Sequence, residues 1–375
     1  MAQKYLSYII LVIAVVGAII FTFPRLLHNS SYQSPLIMPL SFMYVHSSNP
    51  EPQRTIAMNY LHGIGTKPDF EKAVEWYERA IAKGDIQAMM TLAGVYQDRK
   101  DIPKAVALYE QAGKAGNWRG YQNIGWIYFW GNDVPKDTAR AMPYFTKVQS
   151  ELSPGLQNNI AWRYYEGDNI KQDYAAAFQW FLPAAQKGHP NSMNMLGFMY
   201  SQGYGVPKDD FKAFDWHKKA ADQNIAHSQR SLGYAYRDGR GTSKNEALAI
   251  EYFTKAAKQG DVTSYVALAA AFNHGRGVPK DFQKASSLYR IAADKGNNFA
   301  QYALAYNYMK GEGVPKDDAM AYYWSKLAER NAYDNGWHVY KAVSKRLSPE
   351  QIAQLDRQVL AWKAPAEEQP KEQTD

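Results

Sequence analysis

Three short stretches of the chain, "GYGVPKD" at 203–209, "GRGVPKD" at 275–281 and "GEGVPKD" at 311–317, set paired glycines ahead of a lysine and a carboxylate. Glycines with a nearby lysine suggest a phosphate cradle, and a recurring carboxylate suggests acid–base chemistry. Neither fits the spacing. A phosphate loop reads G-x-x-x-x-G-K-[ST] after a strand, whereas these turns read G-x-G after a helical pattern. Asp209, Asp281 and Asp317 hold the same place in each stretch, while a catalytic acid is needed once. Recurrence points instead to helix caps that accept free amide hydrogens.

The remaining reactive inventory is sparse. The chain has no cysteine, so it has no thiol nucleophile, thiolate metal site or disulfide. Its eight histidines, at 28, 46, 62, 189, 217, 227, 274 and 338, include no H-E-x-x-H pair. Nothing places a serine, histidine and carboxylate as a triad. These residues predict no enzyme, no metal and no cofactor, and call for no small-molecule substrate. The net charge of +7 is scattered and carries no basic run, which argues against a nucleic-acid partner.

The elements that hold these residues are repeats. Gly203, Gly239, Gly275 and Gly311 are 36 apart (239−203, 275−239, 311−275), and the step runs back through Gly167 and Gly131. A fixed period in this range marks a stacked array of supersecondary units. In residues 190–225, Ser192, Leu196, Gly197 and Tyr200 share one helical face. Gly203 then stops the helix in the left-handed conformation and Pro207 blocks its continuation. Asp209 or Asp210 caps a second helix that buries Ala213, Phe214, Trp216 or His217, Ala220 and Ala221.

The columns repeat. Gly197 aligns with Ala57, Ala93, Gly125, Ala161, Gly233, Ala269 and Ala305, small residues that predict close approach of two helix backbones. The Ala213 column is alanine throughout. Residues 92–116 depart, since Leu92 and Ala105 are 13 apart (105−92) where Leu196 and Ala213 are 17 apart (213−196).

The pattern L-G-x-x-Y…G-x-G-V-x-x-D…K-A-x-x-W…A-A…G resembles the Sel1-like repeat, a relative of the tetratricopeptide repeat. That resemblance implies an all-α, right-handed α/α superhelical solenoid of about eight helix-turn-helix repeats. The expected divisions are 1–28, a membrane anchor or signal segment; 29–49, a spacer; 50–332, the repeats; 333–363, capping helices with a Ser348 cap; and 364–375, a Pro-rich disordered tail. Residues 5–23 contain no charge, and as a helix they reach about the thickness of a bilayer core. They predict a single N-terminal transmembrane helix; a cleaved signal peptide is the alternative. Lys4 precedes the stretch, and after Arg25 the next Lys or Arg is Arg54, which leans toward an N-in topology with the repeats in a bacterial periplasm.

Function then rests on a surface. At 100° per residue, the position two beyond each core leucine leaves the core. It holds Trp126, Trp162, Phe198, Tyr234, Ala270 and Tyr306, a column aromatic except at Ala270 and suited to anchoring a partner. Four residues earlier on the same stripe lie Gln122, Asn158, Asn194, Arg230 and Tyr302. The resemblance implies that polar residues here hold a bound peptide backbone, with Arg230 or Arg237 taking a carboxylate. The expected function is a membrane-tethered adaptor of the bacterial envelope that binds an extended or acidic protein segment. The alternative is an inhibitor or immunity protein for an envelope-acting hydrolase such as a secreted lipase.

Overall fold

The computed structural model describes residues 48–131, 133–331, 333 and 336–363. The expected membrane segment, nearly all of the spacer and the tail lie outside them. Among the described residues no helix is long and apolar enough to cross a membrane. The elements are helical throughout, in two compact units that divide between Val148 and Gln149.

Unit one holds α1 (Glu51–His62), α2 (Phe70–Ala82), α3 (Ile86–Asp98), α4 (Ile102–Lys114), α5 (Trp118–Trp126) and α6 (Thr138–Thr146). Unit two holds α7 (Pro154–Glu166), α8 (Tyr174–Gln186), α9 (Pro190–Gln202), α10 (Asp210–Asp222), α11 (Ala226–Asp238) and α12 (Glu246–Lys258). It continues with α13 (Val262–His274), α14 (Phe282–Asp294), α15 (Asn298–Lys310), α16 (Asp318–Arg330), α17 (Gly336–Val343) and α18 (Pro349–Ala361). Odd and even helices pair through α16. Two capping helices follow, and α18 opens with a capping box between Ser348 and Gln351.

The turn carboxylates are caps. Asp209, not Asp210, caps α10, and its side chain accepts from the Lys212 amide at 3.0 Å. Asp281 and Asp317 cap α14 and α16 in the same way. Gly203 closes α9 at φ 79°, a left-handed conformation that glycine adopts without a Cβ penalty. The short second repeat replaces the glycine turn with Arg99–Asp101, where Lys100 takes φ 64°.

The alanine column is the floor of the core: Ala73, Ala105, Ala141, Ala177, Ala249, Ala285 and Ala321 are buried. On α10 it is His217 that turns inward, while Trp216 stays half-buried under the Lys219 ammonium. The small column works differently from the expected approach of helix backbones. At its glycines, a ring from the second helix fills the space: Phe145 against Gly125, His217 against Gly197, Phe253 against Gly233. A Cβ on Gly233 would stand 2.6 Å from the Phe253 ring, and one on Gly197 would stand 2.7 Å from His217.

Backbone contact occurs at the second turn glycine. A Cβ on Gly205, Gly241 or Gly313 would overlap the carbonyl of Tyr174, Asp210 or Phe282, each in the first turn of the preceding repeat's second helix. These glycines are where one repeat seats on the next.

Candidate functional site

The seat at Gly205 builds the longest run of touching rings among the described residues of unit two. Because the turn lies directly on the Tyr174 carbonyl, the ring of Tyr204, held between Gly203 and Gly205, stacks on Tyr174 at 4.8 Å and 9°. Tyr204 then meets Phe198 edge-on at 5.8 Å. On the other side Tyr174 lies 5.2 Å from Tyr165, which meets Trp162 at 5.3 Å. Five rings from two repeats thus form one unbroken run: Trp162, Tyr165, Tyr174, Tyr204 and Phe198. Offset and edge-to-face contacts of this kind fix ring positions, so the surface is ordered before a partner arrives.

The expected column is only partly outward. Phe198 is 36% and Tyr306 38% exposed. Trp162 and Tyr234 are half-buried because a second-helix ring reaches them: Phe181 touches Trp162 at 5.7 Å and Phe253 touches Tyr234 at 5.0 Å. In the repeat of Phe198 that place holds His217 instead. In unit one, Trp126 is 40% exposed beside a hollow of about 330 Å³ lined by Gln97, Asn123, Ile127 and Trp130. There the backbone widens into a π turn over Ile127–Gly131, which carries Phe129 inward onto Phe145 and leaves Trp130 exposed. Gln122 is half-buried in the same unit.

The polar stripe is placed otherwise than expected. Asn158 Oδ1 accepts from Ser192 of the next repeat at 2.9 Å, and Asn194 Oδ1 accepts from Ser228 at 2.8 Å. Arg230 pairs at 2.6 Å with Asp261, whose carboxylate also caps α13. Arg54 and Asp85 repeat the device at 2.8 Å in unit one. Arg237 forks onto Asp238 at 2.7 and 3.0 Å and covers the Tyr234 ring. Tyr302 lies against Tyr333. These oxygens and guanidinium groups join one repeat to the next or to their own helix, rather than waiting for a ligand.

A double role makes Asp261 the sensitive member. Asp261→Ala removes a cap, worth about 1 kcal/mol, and leaves the largely covered Arg230 charge without its partner. We expect a loss of about 2 kcal/mol in urea unfolding, against about 1 kcal/mol for Asp281→Ala, which removes a cap alone. Equal losses would show that Arg230 gains nothing from the pair.

One buried contact resembles catalytic geometry. His217 Nδ1 lies 3.3 Å from Ser228 Oγ. Ser228, however, donates its hydroxyl hydrogen to Asn194, so the imidazole N–H is the donor to serine and not a base. Ser228 is fully buried and His217 is 7% exposed, so no substrate reaches them. Burial, aided by nearby His227 and Arg230, pulls the His217 pKa down to about 4. Among the described residues no cluster of His, Asp or Glu is set to hold a metal ion.

Sequence reasoning found Phe198 and Trp162 but missed Tyr165, Tyr174 and Tyr204. No column marks the last two, since the Tyr204 place holds Arg240, Arg276 and Glu312 in later repeats.

Comparison with known proteins accords with this architecture. A family model described as Sel1 repeat matches eight stretches: 56–85, 88–117, 119–147, 156–189, 190–225, 226–261, 263–297 and 298–333. A Sel1 repeat protein from Oxalobacter formigenes is 32% identical with a TM-score of 0.51, over 58% of this chain and 91% of that one. A protective antigen of uropathogenic Escherichia coli with an SLR fold is 24% identical with a TM-score of 0.38, over 90% of this chain and 89% of that one. An immunity protein from Pseudomonas aeruginosa is 18% identical with a TM-score of 0.26, over 66% of this chain and 81% of that one. No curated protein matches the chain.

Proposed function

Since the chain belongs to the Sel1 repeat family, we propose that it is a protein-interaction scaffold and that the run Trp162–Tyr165–Tyr174–Tyr204–Phe198 is where an extended segment of a partner protein lies. One observation carries this reading: five rings from two repeats touch in sequence, with Phe198 36% exposed at the end of the run. Rigid aromatic surface buries much area for little loss of side-chain freedom, which is what an anchor for an extended chain requires. The finer part of the proposal is its setting. The uncharged stretch 5–23 tethers the scaffold to a bacterial inner membrane, with the repeats on the periplasmic side.

The test is crosslinking on membranes followed by capture of the full chain. Phe198→Ala together with Tyr204→Ala should reduce recovery of the principal partner at least tenfold, the effect of losing about 1.4 kcal/mol of binding. Phe211→Ala, at a ring that is 72% exposed on α10 and outside the run, should change nothing. If the double variant keeps its helical content and recovers its partner at the wild-type level, the run is not the binding surface. Protease digestion of spheroplasts addresses the setting, because repeats degraded only after lysis of the inner membrane would place them in the cytoplasm.

A further inference from the structure

Where the repeats of unit two end, α16, α17 and the residue Tyr333 between them line another aromatic hollow, open to solvent. Glu329 from the last turn of α16, Tyr333, and Trp337, Tyr340 and Lys341 of α17 line a space of about 690 Å³. Tyr333 joins it to α15, lying 5.0 Å from Tyr302 and 6.0 Å from Phe299. Trp337 is 41% and Phe299 38% exposed. The cap of a repeat array ordinarily presents a polar outer face, so exposed rings around a hollow at this end are a departure that closing the array does not require.

The charges of the hollow are unequal. Glu329 is already occupied: its Oε1 accepts from the Tyr340 hydroxyl at 3.0 Å and its Oε2 pairs with Lys326 at 2.6 Å. Burial raises its pKa, but these two donors outweigh burial and hold the carboxyl below its usual range. Lys326 also lies 4.3 Å over the Tyr340 ring. Lys341, by contrast, makes no ion pair among the described residues, and its ammonium rests 5.3 Å over the Trp337 ring. Among the described residues lining the hollow, the charge left without an ion pair is that of Lys341, beside the Trp337 ring.

We propose that this hollow receives an aromatic side chain of an acidic peptide segment, with the ring among Tyr333, Trp337 and Tyr340 and an adjacent carboxylate on Lys341. The volume admits one ring with its flanking backbone. Charge decides the flanks: a basic neighbour would meet Lys341 with Glu329 already neutralised, whereas a carboxylate completes a charge-assisted hydrogen bond next to apolar surface. The proposal rests on the scaffold reading and supplies the chemistry of one partner segment, at a site separate from the ring run.

The measurement is fluorescence anisotropy with the detergent-solubilised full chain and three fluorescein-labelled probes, Asp-Asp-Phe-Asp-Asp, Asp-Asp-Ala-Asp-Asp and Lys-Lys-Phe-Lys-Lys. The first should bind at least tenfold more tightly than either other probe, about 1.4 kcal/mol of discrimination. Lys341→Glu and Trp337→Ala should each weaken it at least tenfold with unchanged thermal unfolding, while Phe198→Ala leaves it unaltered. Equal binding of the three probes, or wild-type affinity in Lys341→Glu, overturns the proposal. The two readings separate cleanly. Partner capture that depends on Phe198 while no probe binds the hollow leaves the scaffold and removes this site, and loss of neither by any variant removes both.

Discussion

Gly241→Ala should destabilise the protein by about 3 kcal/mol, and Gly313→Ala by as much. Both positions have positive φ, 65° and 71°, where a Cβ alone costs about 1 kcal/mol. Each added Cβ would also overlap a backbone carbonyl, that of Asp210 or of Phe282, and a helix N-terminus cannot swing aside as a side chain can. Forcing two packed elements apart by a methyl group adds about 2 kcal/mol. The control is the first glycine of the same turn. Gly239 has φ 73°, but its Cβ would stand 3.6 Å from the nearest atoms, in Lys244, an ordinary contact. Gly239→Ala should therefore cost about 1 kcal/mol, the backbone term alone. Urea midpoints followed by far-UV circular dichroism compare the two, and indistinguishable losses at Gly239 and Gly241 would show that the repeats do not seat through the second glycine.

Acid should weaken unit two through His217. Its unfolded pKa is 6.5 and its folded pKa about 4, because the imidazole is buried against Gly197 with His227 and Arg230 nearby. Between those values the unfolded chain binds a proton that the folded one refuses, so stability is intact above pH 6.5 and falls as pH drops toward 4. The upper limit of the loss is about 3 kcal/mol, from 1.36 kcal/mol per unit. His217→Phe should flatten most of this dependence. Phenylalanine fills the same slot at Gly125 and Gly233, and Ser228 keeps its bond to Asn194. Some slope should persist from His227, whose pKa burial also lowers. Thermal unfolding at pH 4.5 and pH 7.5, two values chosen to straddle most of that range, gives the answer; a variant that keeps the full wild-type dependence would move its origin away from His217.

The two experiments probe opposite kinds of information. The glycine period, the alanine column and the capping aspartates each concern residues a few positions apart, where backbone geometry fixes the outcome and one repeat copies the next. Helix pairs, their stops and their caps were therefore legible in the residues: Gly203 ends α9 and Asp209 starts α10 because φ and amide hydrogen bonding leave few other choices.

What lies on each face was harder to read. An angle of 200° correctly turns Phe198 outward, yet the same angle leaves Trp162 leaning on Phe181, because a helical wheel contains no second helix. Asn158 and Arg230 look like ligand contacts in one dimension, and only the placement of Ser192 and Asp261 from the next repeat shows where their hydrogen bonds go. Tyr174 and Tyr204 meet through a glycine seat between repeats that no column records. The sequence by itself determined the modules, because their bonds are local. The tertiary structure decided which rings join into a surface and which charges are already partnered, because those contacts depend on how neighbouring modules approach, a distance that pattern along the chain does not encode.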